Sequence, residues 1–466
     1  MPNTADVAEE QLRLIWRATG LPKTGLDQVR LDVGAPTLPT SYQVAAMASA
    51  AIAAAGAASA EIWRLRTGES QDVTVNSRHA EAEFKSSTYL GIDGKHDSRL
   101  WGPIAGVYRC QDGRWVRVHA NYPAHEQGVL DILGCAPRPD AVAAELARWR
   151  AQDFEDACGA RGLVVFMMRS EDEWSRHGQG AALSQLPLFD IEKIGDAPVE
   201  PFPGLPASGG QPLSGLGVLD LTRVIAGPVA GRTLALHGAD VLRISAAHLP
   251  PDAPELEIDG GRGKVSRFID LVEPDGRQRL EDLIRHGDVF MQGYRPGAIA
   301  AKGFSDERVA ELRPGIVTVS ISAWGHVGPW RQRRGFDSLV QTASGINHGE
   351  AATAGIVDRP KELPCQALDY ASGYLLALGA MAGLYKRATE GGSWRVRVAL
   401  ARTAEWLKSM PRTEDGFGVD MPTLDGVSGL LADIPSDYGA LRIVRHPAIL
   451  SRTPARDDLE PMPYPR

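Results

Sequence analysis

Cysteine is scarce in this chain of 466 residues, and basic residues do not outnumber acidic ones. Its four cysteines show no CxxC spacing, so we expect no disulfide framework and a reducing cytoplasm as the location. Acidic residues outnumber basic ones by 58 to 50, which gives a formal net charge of −8. This balance provides no basic footprint for nucleic acid, and we therefore expect no nucleic-acid partner.

Several motifs of familiar chemistry are also missing from the sequence. The eleven histidines form no zinc signature, no GxSxG nucleophile elbow occurs, and the acidic start MPNTADVAEEQLRLIW does not resemble a secretory leader. The longest uncharged stretch, 44–60, is too short and too rich in alanine to span a bilayer. We expect no bound metal, no membrane association and a cytoplasmic location.

The chain is long enough for more than one domain. Residues 1–205 contain an alanine-rich helix, a strand after Gly68 and, at 107–120, two alternating runs around Asp112-Gly113 that are typical of a β-hairpin. Residues 206–212 lie in a Pro-rich stretch and are interpreted as a linker. A further Pro-rich tail, 409–466, is expected to pack back on the domains.

Strands and helices alternate over 213–408, where GVLDL, DVLRI, DVFMQ and IVTVSISA are the predicted strands. This alternation predicts right-handed crossovers and a parallel sheet covered on both faces. The predicted fold class is therefore α/β, with a Rossmann-like parallel sheet domain plus a smaller α+β domain. The active cleft is expected at the carboxyl ends of the strands.

Asp369 is the most suggestive single residue, because a long small and apolar run typical of a buried helix follows it. An acid in the first turn of a helix is held ionised by free backbone N–H groups and the helix dipole. Such a carboxylate could act as a nucleophile, and Ala371, Ser372 and Gly373 leave room for a ligand. The simpler alternative is that Asp369 only caps a core helix.

Possible anion-binding groups accompany the predicted sheet. Gly227 and Gly231 flank a helix start that follows a strand, which favours contacts between phosphate oxygens and backbone N–H groups. Basic clusters occur at 262–264, 294–297 and 331–334. Any one cluster is typical of a solvated surface, but three at strand-to-helix junctions of one sheet indicate a polyanionic ligand such as a nucleotide diphosphate.

A series of segments in the second half resembles the class III CoA-transferases, the group that includes formyl-CoA transferase, carnitine CoA-transferase and the alpha-methylacyl-CoA racemases. The segments, in chain order, are LSGLGVLDLTRVIAGPVAGRTLALHGADVLRI, GRGKVSRFIDL, GDVFMQGYRPGAIAAKGF, ISAWGHVGPW, RGFDSLVQTASG and LDYASGYLLALGAMAGLYKR. The resemblance covers 213 to about 407. Residues 42–205 resemble the later portion of that family, so the segments are rearranged, with the later half placed first.

The resemblance implies roles for individual residues. Asp369 matches the catalytic aspartate of the family. The turn that lines the CoA site is matched by Val224, Ile225 and Ala226, while Arg334 falls beside a basic residue that meets the CoA phosphates. We add Arg295, from the basic clusters, to the predicted CoA contacts. Ser245 and Ala246 stand where family members often carry a glutamate and then a basic residue, and His248 is a possible substitute for them.

The resemblance also implies a reaction. The aspartate attacks an acyl-CoA, and CoA passes through an aspartyl mixed anhydride and an aspartyl thioester to a free carboxylic acid. CoA thioesters are then substrates, and no cofactor is bound permanently. An acyl-CoA racemase is an alternative, although Phe336 stands where those racemases carry a histidine. A second alternative is a non-catalytic acyl-CoA-binding homologue, because no counterpart of the glycine-rich loop of formyl-CoA transferase is found.

An internal similarity bears on the number of active sites. The helix, turn and strand of 42–77 resemble those of 370–400, and Ala48, give or take a residue, falls where the second copy has Asp369. Because the first copy lacks the acid, we expect one active site per chain, assembled from both halves. The family forms interlocked dimers, and the resemblance implies a homodimer.

Overall fold

The structure is a computed structural model that describes residues 3–96, 101–207, 209–413 and 415–465. The strands are β1 Val29–Asp32, β2 Val73–Asn76, β3 Gly91–Ile92, β4 Gly106–Arg109, β5 Trp115–Val118, β6 Val165–Met167, β7 Phe189–Gly195, β8 Gly217–Leu221, β9 Asp240–Ser245, β10 Lys264–Phe268, β11 Val289–Gln292, β12 Val317–Ser322, β13 Ser393–Ala399, β14 Leu431–Ile434, β15 Leu441–Val444 and β16 Ala448–Leu450.

The α-helices connect and cover these strands. They are α1 Thr4–Thr19, α2 Val44–Thr67, α3 Ser77–Glu83, α4 Ser86–Tyr89, α5 Pro123–Leu133, α6 Pro139–Leu146, α7 Ala151–Ala160, α8 Glu171–Arg176, α9 Gly178–Leu183, α10 Ala226–Leu236, α11 Pro254–Gly261, α12 Pro274–Ile284, α13 Asp306–Leu312, α14 Asp337–Ala343, α15 Ile346–Thr353, α16 Ala367–Glu390, α17 Leu400–Ser409 and α18 Leu424–Val427.

The largest sheet has the strand order β10-β9-β8-β11-β12-β13-β7. The first six strands are parallel to their neighbours, and β7 is antiparallel to β13. This order is the one found in doubly wound nucleotide-binding folds, in which the chain reverses direction between β8 and β11. The predicted α/β class and Rossmann-like sheet are confirmed. The crevice beyond the carboxyl ends of β8 and β11 is therefore the expected ligand site.

A smaller domain lies in the first half of the chain. It consists of the sheet β4-β5-β6, the helices α5 to α7 and a hydrophobic core of its own. The predicted hairpin is present, because β4 and β5 pair antiparallel and Gly113 adopts φ +77° in the turn. The segment after α5 forms two separate helices, α6 and α7.

The two halves are interwoven rather than joined at one linker. Strand β7 lies within the predicted first unit, yet it forms an edge of the large sheet. The tail adds β16 beside β2 and places β14 and β15 beside β3. The structural division therefore does not follow the predicted boundary at residue 205.

Two long helices, α2 and α16, pack against each other in the main core. Within the described residues these are the helices long and apolar enough to cross a membrane, and the most apolar 18-residue window of each is buried inside the fold. They begin after equivalent residues, Gln43 and Gln366. Counting from these N-caps, Ala46 is the counterpart of Asp369, so the prediction of Ala48 was two residues too far along. At this position the first copy still carries no acid.

Candidate active site

The cleft contains a cavity of about 490 Å³ at the point where the strand order reverses. The turn after β8 and the segment after β11 form two of its walls, and the loop before α14 and the first turn of α16 form others. The predicted nucleophile Asp369 and the predicted CoA contacts Val224, Ile225, Ala226, Arg295 and Arg334 all line this cavity. Residues far apart in the chain thus meet at one place.

Asp369 lies in the first turn of α16 and is only 7% exposed. The role of helix cap belongs to another acid, Asp337, which reaches across from the start of α14. The Asp369 backbone N–H donates to Asp337 Oδ2 at 2.8 Å, and Gln341 Nε2 donates to Asp337 Oδ1 at 2.5 Å. Because Asp337 takes up the helix N–H, the Asp369 side chain remains available to the cavity.

The two carboxyl groups influence each other. Burial, followed by the Asp337 carboxylate, raises the pKa of Asp369 well above its ordinary value. Burial also raises the pKa of Asp337 to about 6, although its hydrogen bonds and Arg117 act in the opposite direction. Desolvation and a neighbouring acid thus oppose the ionised form of Asp369 that the helix start was expected to favour.

Small residues bring the α10 turn close to Asp369. A Cβ atom on Gly373, one turn after Asp369, would lie 2.6 Å from the backbone oxygen of Ala226. A Cβ atom on Gly227 would lie 2.2 Å from the Thr222 side chain. Glycine is required at both positions, and the start of α10 consequently lies beside the start of α16.

The turn between β8 and α10 is strained at Val224, which adopts φ +72°. A β-branched residue rarely occupies this left-handed region. Asp252 holds the turn, because its Oδ2 accepts the Val224 N–H at 3.0 Å and its Oδ1 accepts from Arg223 Nη2 at 2.8 Å. The hydroxyl of Tyr122, from the first half of the chain, donates to the same Oδ1 at 2.5 Å. Asp252 thereby links three segments of the cavity wall.

Only some of the predicted basic clusters reach the cavity. Arg295 and Arg334 are exposed on its wall, and within the described ranges neither is paired with a carboxylate. Burial and the charge of Arg295 lower the pKa of Arg334, so the two cations lie near each other. In contrast, Lys264 is buried against Asp220 at 2.7 Å, and Arg262 is buried near Asp259 at 3.8 Å. The 262–264 cluster therefore stabilises the fold instead of binding a ligand.

The first half of the chain contributes residues that the sequence did not single out. Tyr122 is the N-cap of α5, and both it and His125 line the cavity. Arg334 Nη1 lies 3.5 Å from His125 Nε2. The Phe336 ring is stacked on His119 with ring centroids 3.9 Å apart, and His119 does not line the cavity. The small domain thus covers one side of the cleft, as expected for a site assembled from both halves.

A second cavity of about 250 Å³ adjoins the first and shares Arg223 and Val224 with it. Ser245 and Ala246 line this cavity. His248, considered a substitute for a ligand contact there, instead lies 2.8 Å from Asp270 on the surface. Within the described residues, no group of histidine, cysteine and acidic side chains is arranged to hold a metal ion.

The fold and the cavity define an α/β protein with a nucleotide-type cleft that contains a buried carboxyl group and two arginines that pair with no carboxylate of the described residues. The chain belongs to CoA-transferase family III, whose family model matches residues 18–198 and 213–429. The match in both halves agrees with the resemblance found in the sequence.

Individual relatives point to the same family. An acyl-CoA transferase of Gibberella moniliformis is 28% identical over 407 residues, covering 78% of this chain and 70% of that protein. Human succinyl-CoA:glutarate CoA-transferase is 33% identical over 193 residues, which is 39% of this chain and 43% of the relative. The crystal structure of Rv3272 from Mycobacterium tuberculosis matches 43% of this chain and 57% of its own, with 29% identity and a TM-score of 0.40. The matched part of this chain thus corresponds to 43–70% of the length of these proteins.

Proposed function

We propose that this chain transfers CoA from an acyl-CoA thioester to a free carboxylic acid, with Asp369 as the nucleophile. The observation that carries the proposal is the single cavity that contains both the buried Asp369 carboxyl group and the unpaired arginines Arg295 and Arg334. A carboxyl nucleophile and a polyanion site are the two requirements of this reaction.

CoA would lie along the crevice at the carboxyl ends of the strands. Its phosphates would meet Arg295 and Arg334 at the exposed side of the cavity, since unpaired guanidinium groups bind phosphate oxygens strongly. Its pantetheine arm would pass the turn formed by Val224, Ile225 and Ala226. The start of α10, where the N-cap residue Ile225 provides no side-chain cap, lines this part of the cavity. The thioester would then lie beside Asp369.

The reaction proceeds through covalent intermediates. A carboxylate oxygen of Asp369 attacks the thioester carbon and expels CoA thiolate, which gives a mixed anhydride. The thiolate attacks the aspartyl carbonyl carbon and releases the donor acid, which leaves an aspartyl-CoA thioester. The acceptor carboxylate attacks that thioester to form a second anhydride and free thiolate. Attack of the thiolate on the acceptor carbonyl releases the new acyl-CoA and regenerates Asp369.

Two features of the site serve this chemistry. Asp369 must lose its proton before it attacks, so the raised pKa predicts that activity increases with pH through the titration of the acid pair. The anhydrides must also be protected from water. Phe336 and Tyr122, with ring centroids 6.2 Å apart, both line the cavity and would help to exclude water from it. Since Phe336 replaces the histidine expected in the racemases, the cavity offers no second base at that position.

The proposal is tested by trapping the aspartyl thioester. The protein is incubated with acyl-CoA and hydroxylamine, and Asp369 is examined for a hydroxamate by peptide mass spectrometry. We expect the hydroxamate to form in the wild type. In Asp369→Asn, both the hydroxamate and CoA exchange should be lost. Asp275→Asn, in the exposed first turn of α12, is the matched control and should retain both. Exchange by the Asp369→Asn variant at the wild-type rate would refute the assignment.

A further inference from the structure

We infer that the acyl group carried by this site is an apolar monocarboxylic chain, and that dicarboxylic acyl groups are excluded. This inference rests on the proposed function and concerns the chemical class of its substrate. It follows from the side chains around Asp369 and from the positions of the positive charges in the cavity.

Apolar side chains form much of the wall of the cavity that contains Asp369. Phe336 directly precedes the acid that accepts the Asp369 N–H, and the start of α10 lies against the turn that follows Asp369. Ala323 and Leu400 adjoin each other, because the Ala401 N–H donates to the Ala323 carbonyl at 2.9 Å. The apolar lining comprises Ile225, Ala226, Ile321, Ala323, Phe336 and Leu400.

The arginines in and near the cavity are not available to pair with a second carboxylate on the acyl group. Arg223 is paired with Asp252 at 2.8 Å and lies over the Tyr122 ring. Arg295 and Arg334 lie together and are assigned to the CoA phosphates. Arg117, near Asp337, is buried, pairs with Glu362 and does not line the cavity.

Electrostatics around the nucleophile lead to the same conclusion. Within the described part of the chain, no lysine or arginine lowers the pKa of Asp369. The two nearby histidines are neutral at physiological pH, because burial and neighbouring charges lower the pKa of His125 to about 4 and of His119 to about 3. A second carboxylate on the acyl chain would therefore be desolvated without a partner, whereas a methyl group would meet apolar side chains.

The experiment compares donors of equal carbon number that differ only in the terminal group. Butyryl-CoA is compared with succinyl-CoA, and hexanoyl-CoA with adipyl-CoA, in the hydroxylamine trapping assay and in CoA exchange. We expect the apolar member of each pair to have a kcat/KM about 100-fold higher, as for an unpaired buried charge. Equal rates, or faster reaction of the dicarboxylic donors, would overturn the inference and leave the proposed function intact. Failure of all four donors to label Asp369 would overturn both.

A charge introduced at the apolar wall provides a second test. Leu400→Arg should move the ratio of succinyl-CoA to butyryl-CoA activity at least about 10-fold toward succinyl-CoA, because the guanidinium would pair with the distal carboxylate. Leu400→Gln, which is polar but uncharged, is the matched control and should leave the ratio near that of the wild type. Ala323→Lys repeats the test from the adjoining residue. An unchanged ratio in both cationic variants would contradict the placement of the acyl chain.

Discussion

Replacing Asp369 by asparagine should make the protein more stable at neutral pH. Burial and Asp337 raise the pKa of Asp369 in the folded chain. Between its unfolded and folded pKa values, the folded state binds more protons than the unfolded chain, so stability falls as pH rises through that window. Asparagine has no proton to lose, and the variant escapes this loss.

The magnitude follows from the burial of the Asp369 carboxylate beside a second acid. Burial and the Asp337 carboxylate both disfavour the ionised form of Asp369. Leaving a buried polar group without a partner costs on the order of 1–3 kcal/mol. Removing the Asp369 carboxylate should therefore raise the free energy of unfolding by roughly 1–3 kcal/mol near pH 8 and by almost nothing near pH 4.

Urea unfolding of the wild type and of Asp369→Asn at about pH 4.5, 6 and 8 measures this difference. The exposed first-turn acid of α12 provides the control, since Asp275→Asn should change stability by less than about 0.5 kcal/mol at each pH. A variant that is less stable than the wild type near pH 8 would refute the reasoning. The ionised form of Asp369 would then be favoured by the fold.

Other predictions concern the cavity wall. Arg295→Ala and Arg334→Ala should each weaken CoA binding by about 1–3 kcal/mol in calorimetry, whereas Arg331→Ala, in the same loop but outside the cavity, should not. Asp252→Ala should raise KM for acyl-CoA, and adding Val224→Gly should restore much of it, because glycine adopts φ +72° without an anchor. Strictly additive effects of those two changes would contradict this coupling. In Asp337→Asn, the rise of activity with pH should occur at lower pH, since the repulsion that raises the pKa of Asp369 is gone.

The sequence was sufficient to predict the parallel sheet and the cleft, because both depend on local patterns. Alternating strands and helices determine a parallel sheet, and a parallel sheet determines which ends of the strands meet. Asp369, Arg295 and Arg334 follow strands or begin helices at that edge, so their meeting in one cavity could be anticipated.

Long-range contacts could not be anticipated in the same way. Asp337 accepts a hydrogen bond from the Asp369 N–H, although the two residues are 32 positions apart in the chain. No local sequence pattern predicts this contact. Strand β7 joins the large sheet through charged cross-strand pairs, Arg397 with Asp190 and Arg395 with Glu192, each at 2.6 Å. These partners lie 207 and 203 residues apart in the chain. The composition of β7 fits a linker as well as it fits a strand.

The two core helices explain why one site per chain is expected, and Ala46→Asp tests the explanation. Ala46 is fully buried, and the segment before α2 is held by Glu350, which accepts the Ser41 N–H at 3.1 Å and the Ser41 hydroxyl at 2.8 Å. None of the residues 43–49 lines the cavity that contains Asp369. An acid at Ala46 would therefore be buried without access to CoA, and it should destabilise the protein by roughly 3 kcal/mol or more.

The same variant should still form one hydroxamate per chain, at Asp369. Ala46→Asn, which is similar in size but uncharged, separates the effect of charge from that of volume and should be less destabilising. A second hydroxamate at the introduced acid would show that α2 also faces an acyl-CoA site. In that case the assembly of a single site from both halves would have to be abandoned.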